Sequence, residues 1–223
     1  MATASLGMAR VAETGQLLLA CVRDNGSASH PWSQAGELLR GEHSARGLSD
    51  LIHYLCTLHG RYPGVIDHAS TRAVEPASRA WLAQATYAFA GERAYLARLA
   101  VAAGPVPSTP GAAGTDSTII AQRHAMEMLA QSERHGCALG TAMAIVLDWA
   151  HVRTVLDSAA IRFGVEPPPC MAGDIETIAT LADAFAGSAA VQRALLFGAQ
   201  QVLLQHRGLW DVLEARHQAR LVG

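Results

Sequence analysis

Leu48, Leu51, Ile52, Leu55 and Leu58 recur three and four positions apart, which puts them on one stripe of an α-helix and on no single face of a strand. The same spacing governs most of the chain. It predicts a first helix over roughly Ala4–Val22, broken by the turn-forming run Asp24-Asn25-Gly26-Ser27, and a short helix from Ser33 to about Arg40. Ser44 is placed to cap the striped helix, and Gly60 to end it as a left-handed residue. Pro76 suits the first turn of a long helix reaching about Ala103. The stretch Gly104–Gly114, with Pro105, Pro107 and Pro110, reads as a flexible linker across one end of a bundle. Asp116 would cap a stretch that runs to about Phe163, roughly 70 Å long if unbroken. Gly136 and Gly140 mark a break in it or a close helix crossing, and Gly164 with Pro167-Pro168-Pro169 stops it. Asp174 caps a further helix, Gly187-Ser188 interrupts it, and a last helix covers roughly Ala189–Arg220.

Alanine and leucine, the strongest helix formers, dominate an apolar half of the 223 residues. Valine and isoleucine rarely alternate with polar residues, so sheet is not expected. The fold class read from the chain is all-α: one domain over 1–223, six to eight helices, with the N-terminal ones over a core of four longer ones.

Charge and cysteine usage narrow the chemistry. The formal net charge is −2, no long run of one sign occurs, and all 17 basic residues are arginine. A nucleic-acid footprint is not expected, and a lysine Schiff base or P-loop lysine is excluded. Cys21, Cys56, Cys137 and Cys170 form no CxxC pair, which argues against a cysteine zinc site. No stretch reaches the roughly 18 uncharged apolar residues of a membrane span. The N-terminal run has no basic start and is interrupted by Glu13 and Gln16, so no signal peptide is read and the cytoplasm is the expected location.

Asp148 and His151 lie three residues apart inside the most apolar stretch, CALGTAMAIVLDWAHV. An acid and an imidazole on one helix face can ligate a metal together, or the acid can orient the histidine as a base. They can equally be a buried pair satisfied by Arg79 or Arg153. A second acid-x-x-His pair stands at Glu214 and His217. Three further groups carry polar chemistry: His53, Cys56 and His59 on the striped helix, which could bind zinc, iron or haem; His124, Glu127, Gln131 and His135, which read most simply as a solvent face and otherwise as a second polar pocket with Glu133; and the loop bearing Arg61, Tyr62, Asp67 and His68, the best candidate for a binding rim, where Arg61 could clasp a carboxylate or phosphate, or Asp67 could cap the next segment and pair with Arg61. Trp81, Trp149 and Trp210 are expected to fill the core or an interface.

Two acid-x-x-His pairs with one carboxylate from each of two other helices form the ligand pattern of di-iron bundles. On those residues the chain resembles the ferritin-like superfamily of carboxylate-bridged bundles, from about Glu75 to the C-terminus. The resemblance implies ligands at Glu92, at Asp148 and His151, at Asp183 or Glu176, and at Glu214 and His217, with iron or another divalent metal bound. Aspartate replaces the usual glutamate in the first pair. A haem-oxygenase-like helical fold is the alternative architecture.

Two functions follow. One is a metal-dependent, non-haem iron oxidoreductase acting on a small molecule, with Asp148 and His151 as ligands helped by Glu92 or His53. The other is a non-catalytic helical protein that binds a protein partner or an apolar ligand. Leu209, Trp210 and Leu213 on the last helix suit either a homodimer contact or the core.

Overall fold

The structure, a computed structural model, describes residues 13–109, 112–170 and 173–222. Among these residues there are nine α-helices, one more than the upper end of the expected range, and no strand. They are α1 (Thr14–Asn25), α2 (Gly36–Leu39), α3 (Ser44–His59), α4 (Val65–Arg72), α5 (Pro76–Ala103), α6 (Ala112–Ala130), α7 (Cys137–Phe163), α8 (Ile175–Phe185) and α9 (Ala189–Val222). Two 3₁₀ turns, Ser27–Ser29 and Pro31–Gln34, precede α2, so the helix expected from Ser33 begins at Gly36. The part of the expected first helix that falls on residues 1–12 lies outside the described residues.

α7 is the axis of the molecule and touches each of the other eight helices. Its sequence explains why: it is apolar nearly all round, and such a helix is stable in water only when enclosed. By length and composition it could cross a membrane, with mean hydropathy 1.2, yet 83% of that window is buried inside the protein. One contiguous core runs from Leu18 through Leu51, Leu96, Ile145 and Leu156 to Trp210.

The expected stretch of about 70 Å is two helices, α6 and α7, separated at residues 131–136. Gly136 precedes α7 with φ +100°, a conformation that glycine alone adopts cheaply. Past this break, Gly140 lets α7 and α9 meet backbone to backbone. A Cβ there would lie 2.0 Å from Leu195 O, and one at Gly198 would lie 2.2 Å from Cys137 O. The glycine pair thus sets both the break and the crossing.

Several other expectations need correction. Gly60 is right-handed, φ −74°, because the chain closes α3 with an ordinary helical bond to Cys56 O. Ser44 is already inside α3, after a His43 that makes no side-chain cap, and Asp116 lies within α6, which starts at Ala112. Residues 104–109 are not a loose tether. His53 Nε2 bonds Gly104 O at 2.8 Å, and Arg216 holds Pro107 O at 3.2 Å and Thr109 Oγ1 at 3.0 Å. Leu209, Trp210 and Leu213 are 1%, 0% and 2% exposed, so they belong to the core and offer no dimer contact. Pro76 at the start of α5, the Asp174 cap of α8 and the start of α9 at Ala189 fall where the sequence places them.

Candidate functional site

On α5, Trp81, Ala85, Phe89 and Glu92 follow one another at helical spacing and face α7 and α8. With Val146 and Trp149 of α7 and Thr177 of α8 they enclose a cavity of about 620 Å³. The walls are mostly apolar and include the rings of Trp81, Tyr87, Phe89 and Trp149.

Glu92 is the buried carboxylate of this wall, 5% exposed. A carboxylate is costly to bury without partners, and both of its partners come from α7. Oε1 accepts from Arg153 Nη1 at 2.8 Å, and Oε2 accepts from Trp149 Nε1 at 3.0 Å. Arg153 is itself shared. Its Nε donates to Asp157 at 2.7 Å, its Nη2 donates to Pro168 O, and its plane lies 4.3 Å from the Tyr95 ring centroid. Tyr95 donates its hydroxyl to Asp157 at 2.9 Å. Burial, reinforced by Asp157, pushes the Tyr95 phenol well up, so it remains a donor.

Behind Trp149 and Phe89 lies a second array. The Asp148 carboxylate accepts from Ser27 N and from Ser27 Oγ, each at 2.6 Å, and faces His206 Nδ1 at 2.6 Å. His206 Nε2 lies 3.0 Å from His59 Nε2. The His59 ring packs edge-on against Trp149 (5.1 Å) and Phe89 (5.8 Å), which line the cavity on their other side. Burial tends to raise the Asp148 pKa, but the bonds from His206 and Ser27 outweigh it and hold the carboxyl below its usual range. Burial first, then His206 and Arg93, hold His59 far below the usual histidine value, so it is neutral. An ionised carboxylate can only accept, so His206 Nδ1 carries the proton between it and Asp148. The result is a chain, His59 to His206 to Asp148, across α3, α9 and α7.

The turn between α1 and α2 closes this array from outside. Its close approach requires Gly26, since a Cβ there would lie 2.5 Å from Asp148 Oδ1. Ser33 Oγ meets His151 Nε2 at 2.9 Å, and His30 Nε2 meets Asp211 at 2.9 Å.

The six residues expected to bind metal are therefore dispersed. Asp148 turns to His206 and Ser27, while His151, one turn on, turns to Ser33. Glu92 is engaged by Arg153 and Trp149, and His53 binds the end of α5 through Gly104 O. Glu214 is exposed, and His217 stacks on Trp32 at 4.8 Å. Of the remaining carboxylates, Asp183 accepts from Gly15 N at 2.7 Å and Glu176 is exposed. Among the described residues no three His, Cys, Asp or Glu side chains gather as a metal-holding group. These donors do not fit the di-iron pattern, because α7 and α9 turn the two acid-x-x-His pairs toward different neighbours.

Other groups settle as follows. Cys56 packs against Leu96 O at 3.7 Å. Asp67 caps Gly64 N at 2.7 Å and pairs with Arg93 at 2.9 Å rather than with Arg61. His124 and Glu127 stay on a solvent-facing side, and His135 pairs with Glu75 at 3.2 Å. Arg79 reaches Ala73 O and takes no part in the Asp148 array. Sequence reasoning missed His206, Ser27 and Ser33. A lone histidine in the apolar run VLLQHRGLW was the available signal for the first; nothing local marked the two serines.

Fold and site together define an all-α bundle with an aromatic-walled cavity backed by a buried His–His–Asp chain. The protein belongs to DUF6975, a family of unknown function, whose model matches residues 22–221 and so spans both arrays. No curated protein and no solved structure matches it.

Proposed function

We propose that this protein binds a small organic molecule in the cavity between α5, α7 and α8, with Glu92 as its polar anchor. The observation that carries this reading is a 5%-exposed carboxylate set among aromatic rings at a space of about 620 Å³. Cavities of roughly 300–1,000 Å³ with mainly apolar walls and a few placed polar groups are the usual form of ligand sites. Each Glu92 oxygen accepts one bond, from α7, although a carboxylate has about four acceptor positions. Acceptor capacity is therefore left for a donor on a ligand. Arg153 and Trp149 fix the carboxylate in place, so little ordering cost remains at binding.

Trp81 and Trp149 report directly on this site. Titration with the neutral fluorophore N-phenyl-1-naphthylamine is expected to give one saturable site and to quench tryptophan emission. Ala88 also lines the cavity, and Ala88→Trp is expected to weaken binding by about tenfold or more by filling it, roughly 1.4 kcal/mol. Undiminished probe binding in an Ala88→Trp protein with native helicity would overturn the reading.

A further inference from the structure

The cavity's charge is one-sided. Its charged lining residues are Glu92 and Asp174, and Gln84, Tyr87 and Thr177 supply further polar groups; among the described residues no arginine or histidine lines it. The cation nearest to Glu92 is Arg153, which sits behind it and divides itself between Glu92 at 2.8 Å and Asp157 at 2.7 Å. One guanidinium is therefore divided between two carboxylates, and Glu92, the one of the two that lines the cavity, is left incompletely neutralised. Asp174 adds a second carboxylate at the mouth; its bonds from Thr177 hold its carboxyl below the usual range, so it is ionised at neutral pH. Arg93 lies 5.9 Å from the Phe89 ring, but Asp67 takes its charge at 2.9 Å. Around this charge stand Trp81, Phe89 and Trp149, whose ring faces attract cations and repel anions. Glu92 is buried, so its charge acts with less screening than in water, whereas the exposed Asp174 is screened by solvent.

We infer that the ligand is an organic cation: an amine or quaternary ammonium group carried on an apolar body, with its charge at Glu92 and its body against Trp81, Phe89 and Trp149. This rests on the binding reading above and adds the chemical class of the ligand. Anionic amphiphiles such as fatty acids are selected against by the same two carboxylates.

The test is competition against bound N-phenyl-1-naphthylamine by three compounds with one apolar body and different heads: 4-phenylbutylamine, 4-phenylbutanol and 4-phenylbutyrate, at pH 7 and low salt. The amine is expected to compete about tenfold better than the alcohol, as a desolvated cation–π site with an adjacent carboxylate allows, and the carboxylate worst. The amine's advantage is expected to vanish in Glu92→Gln and to shrink in Asp174→Asn, which keeps a residue able to cap α8. Asp174→Asn preserves the test if Glu92→Gln does not fold. If the alcohol competes as well as the amine, or the amine's advantage survives both substitutions, the cation inference is overturned while the binding reading stands. If the fluorophore itself does not bind, both fall.

Discussion

Asp148 is bonded to His206 at 2.6 Å, a residue 58 positions away on α9, and not to His151 one turn along its own helix. The crossing of α7 and α9 at Gly140 and Gly198 makes this contact. It leaves the helix-face pair as two separate sets of bonds, Asp148 to His206 and Ser27 and His151 to Ser33, with both side chains reaching the turn between α1 and α2.

The two members of the apparent pair are expected to differ sharply in stability. Asp148→Ala leaves His206 Nδ1 and the Ser27 donors buried without their acceptor. Breaking a buried charged network from one side costs about 3–5 kcal/mol. His151→Ala removes one half-buried bond to Ser33, a loss of about 1 kcal/mol. Urea denaturation of both variants measures the difference; equal effects would mean that the two act as one unit.

Stability is expected to fall in mild acid. His59 is neutral in the folded protein because burial holds its pKa well down, whereas in the unfolded chain it titrates near 6.5. Below about pH 6.5 the unfolded state therefore binds more protons. The stabilisation is complete above that pH and is lost as pH falls toward the folded pKa. Asp148, also depressed, has the same sign in a lower window. Its contribution is complete above about 3.9 and is lost as pH falls through its folded value. Denaturation curves of His59→Phe and of the parent should converge as pH drops from 8 to 5. A constant gap would show that His59 does not titrate on unfolding.

Glycines at and away from the crossing should respond in opposite directions. Gly140→Ala places a methyl 2.0 Å from Leu195 O, and forcing the helices apart costs about 2–3 kcal/mol. Gly91 lies in α5 with nothing within 4 Å of an added Cβ, so Gly91→Ala should stabilise by about 1 kcal/mol through helix propensity. Thermal midpoints of the two variants should move apart on either side of the parent.

The segment at 104–109 is held by charge. Arg216 makes two 3.0 Å bonds to Asp50, and Arg220 reaches Asp50 at 2.5 Å and Thr109 at 2.8 Å. Arg220→Ala should open this segment to a broad-specificity protease at concentrations that spare the parent. Asp50→Ala should lower global stability by about 3–5 kcal/mol, because two arginines lose their buried counter-ion. Unchanged cleavage in Arg220→Ala would show that His53 and Arg216 suffice to hold it.

Much of the helix pattern was legible locally. Pro76, Asp174 and Gly187-Ser188 act through their own backbone or the next turn, so their effect needs no knowledge of neighbours. Gly60 and Ser44 misled for the same reason: each suits a cap, but the surrounding turns met the backbone's needs without them. The candidate site was only partly legible. Asp148, His59, Glu92 and Trp149 each stood out as polar or aromatic groups in apolar surroundings. Their partners His206, Ser27 and Arg153 could not be assigned, since hydrogen bonds across helices depend on rotation and crossing angle.

The amino-acid sequence by itself determined that this chain forms an all-α bundle, because hydrophobic periodicity and Pro, Gly and Asp punctuation act within a few residues. The tertiary structure alone decided that Asp148 meets His206, that Glu92 meets Arg153 and Trp149, and that a cavity opens between α5, α7 and α8. Those pairings join residues 57 to 61 positions apart, and a helix rotated by one residue, about 100°, would have faced each side chain toward a different neighbour.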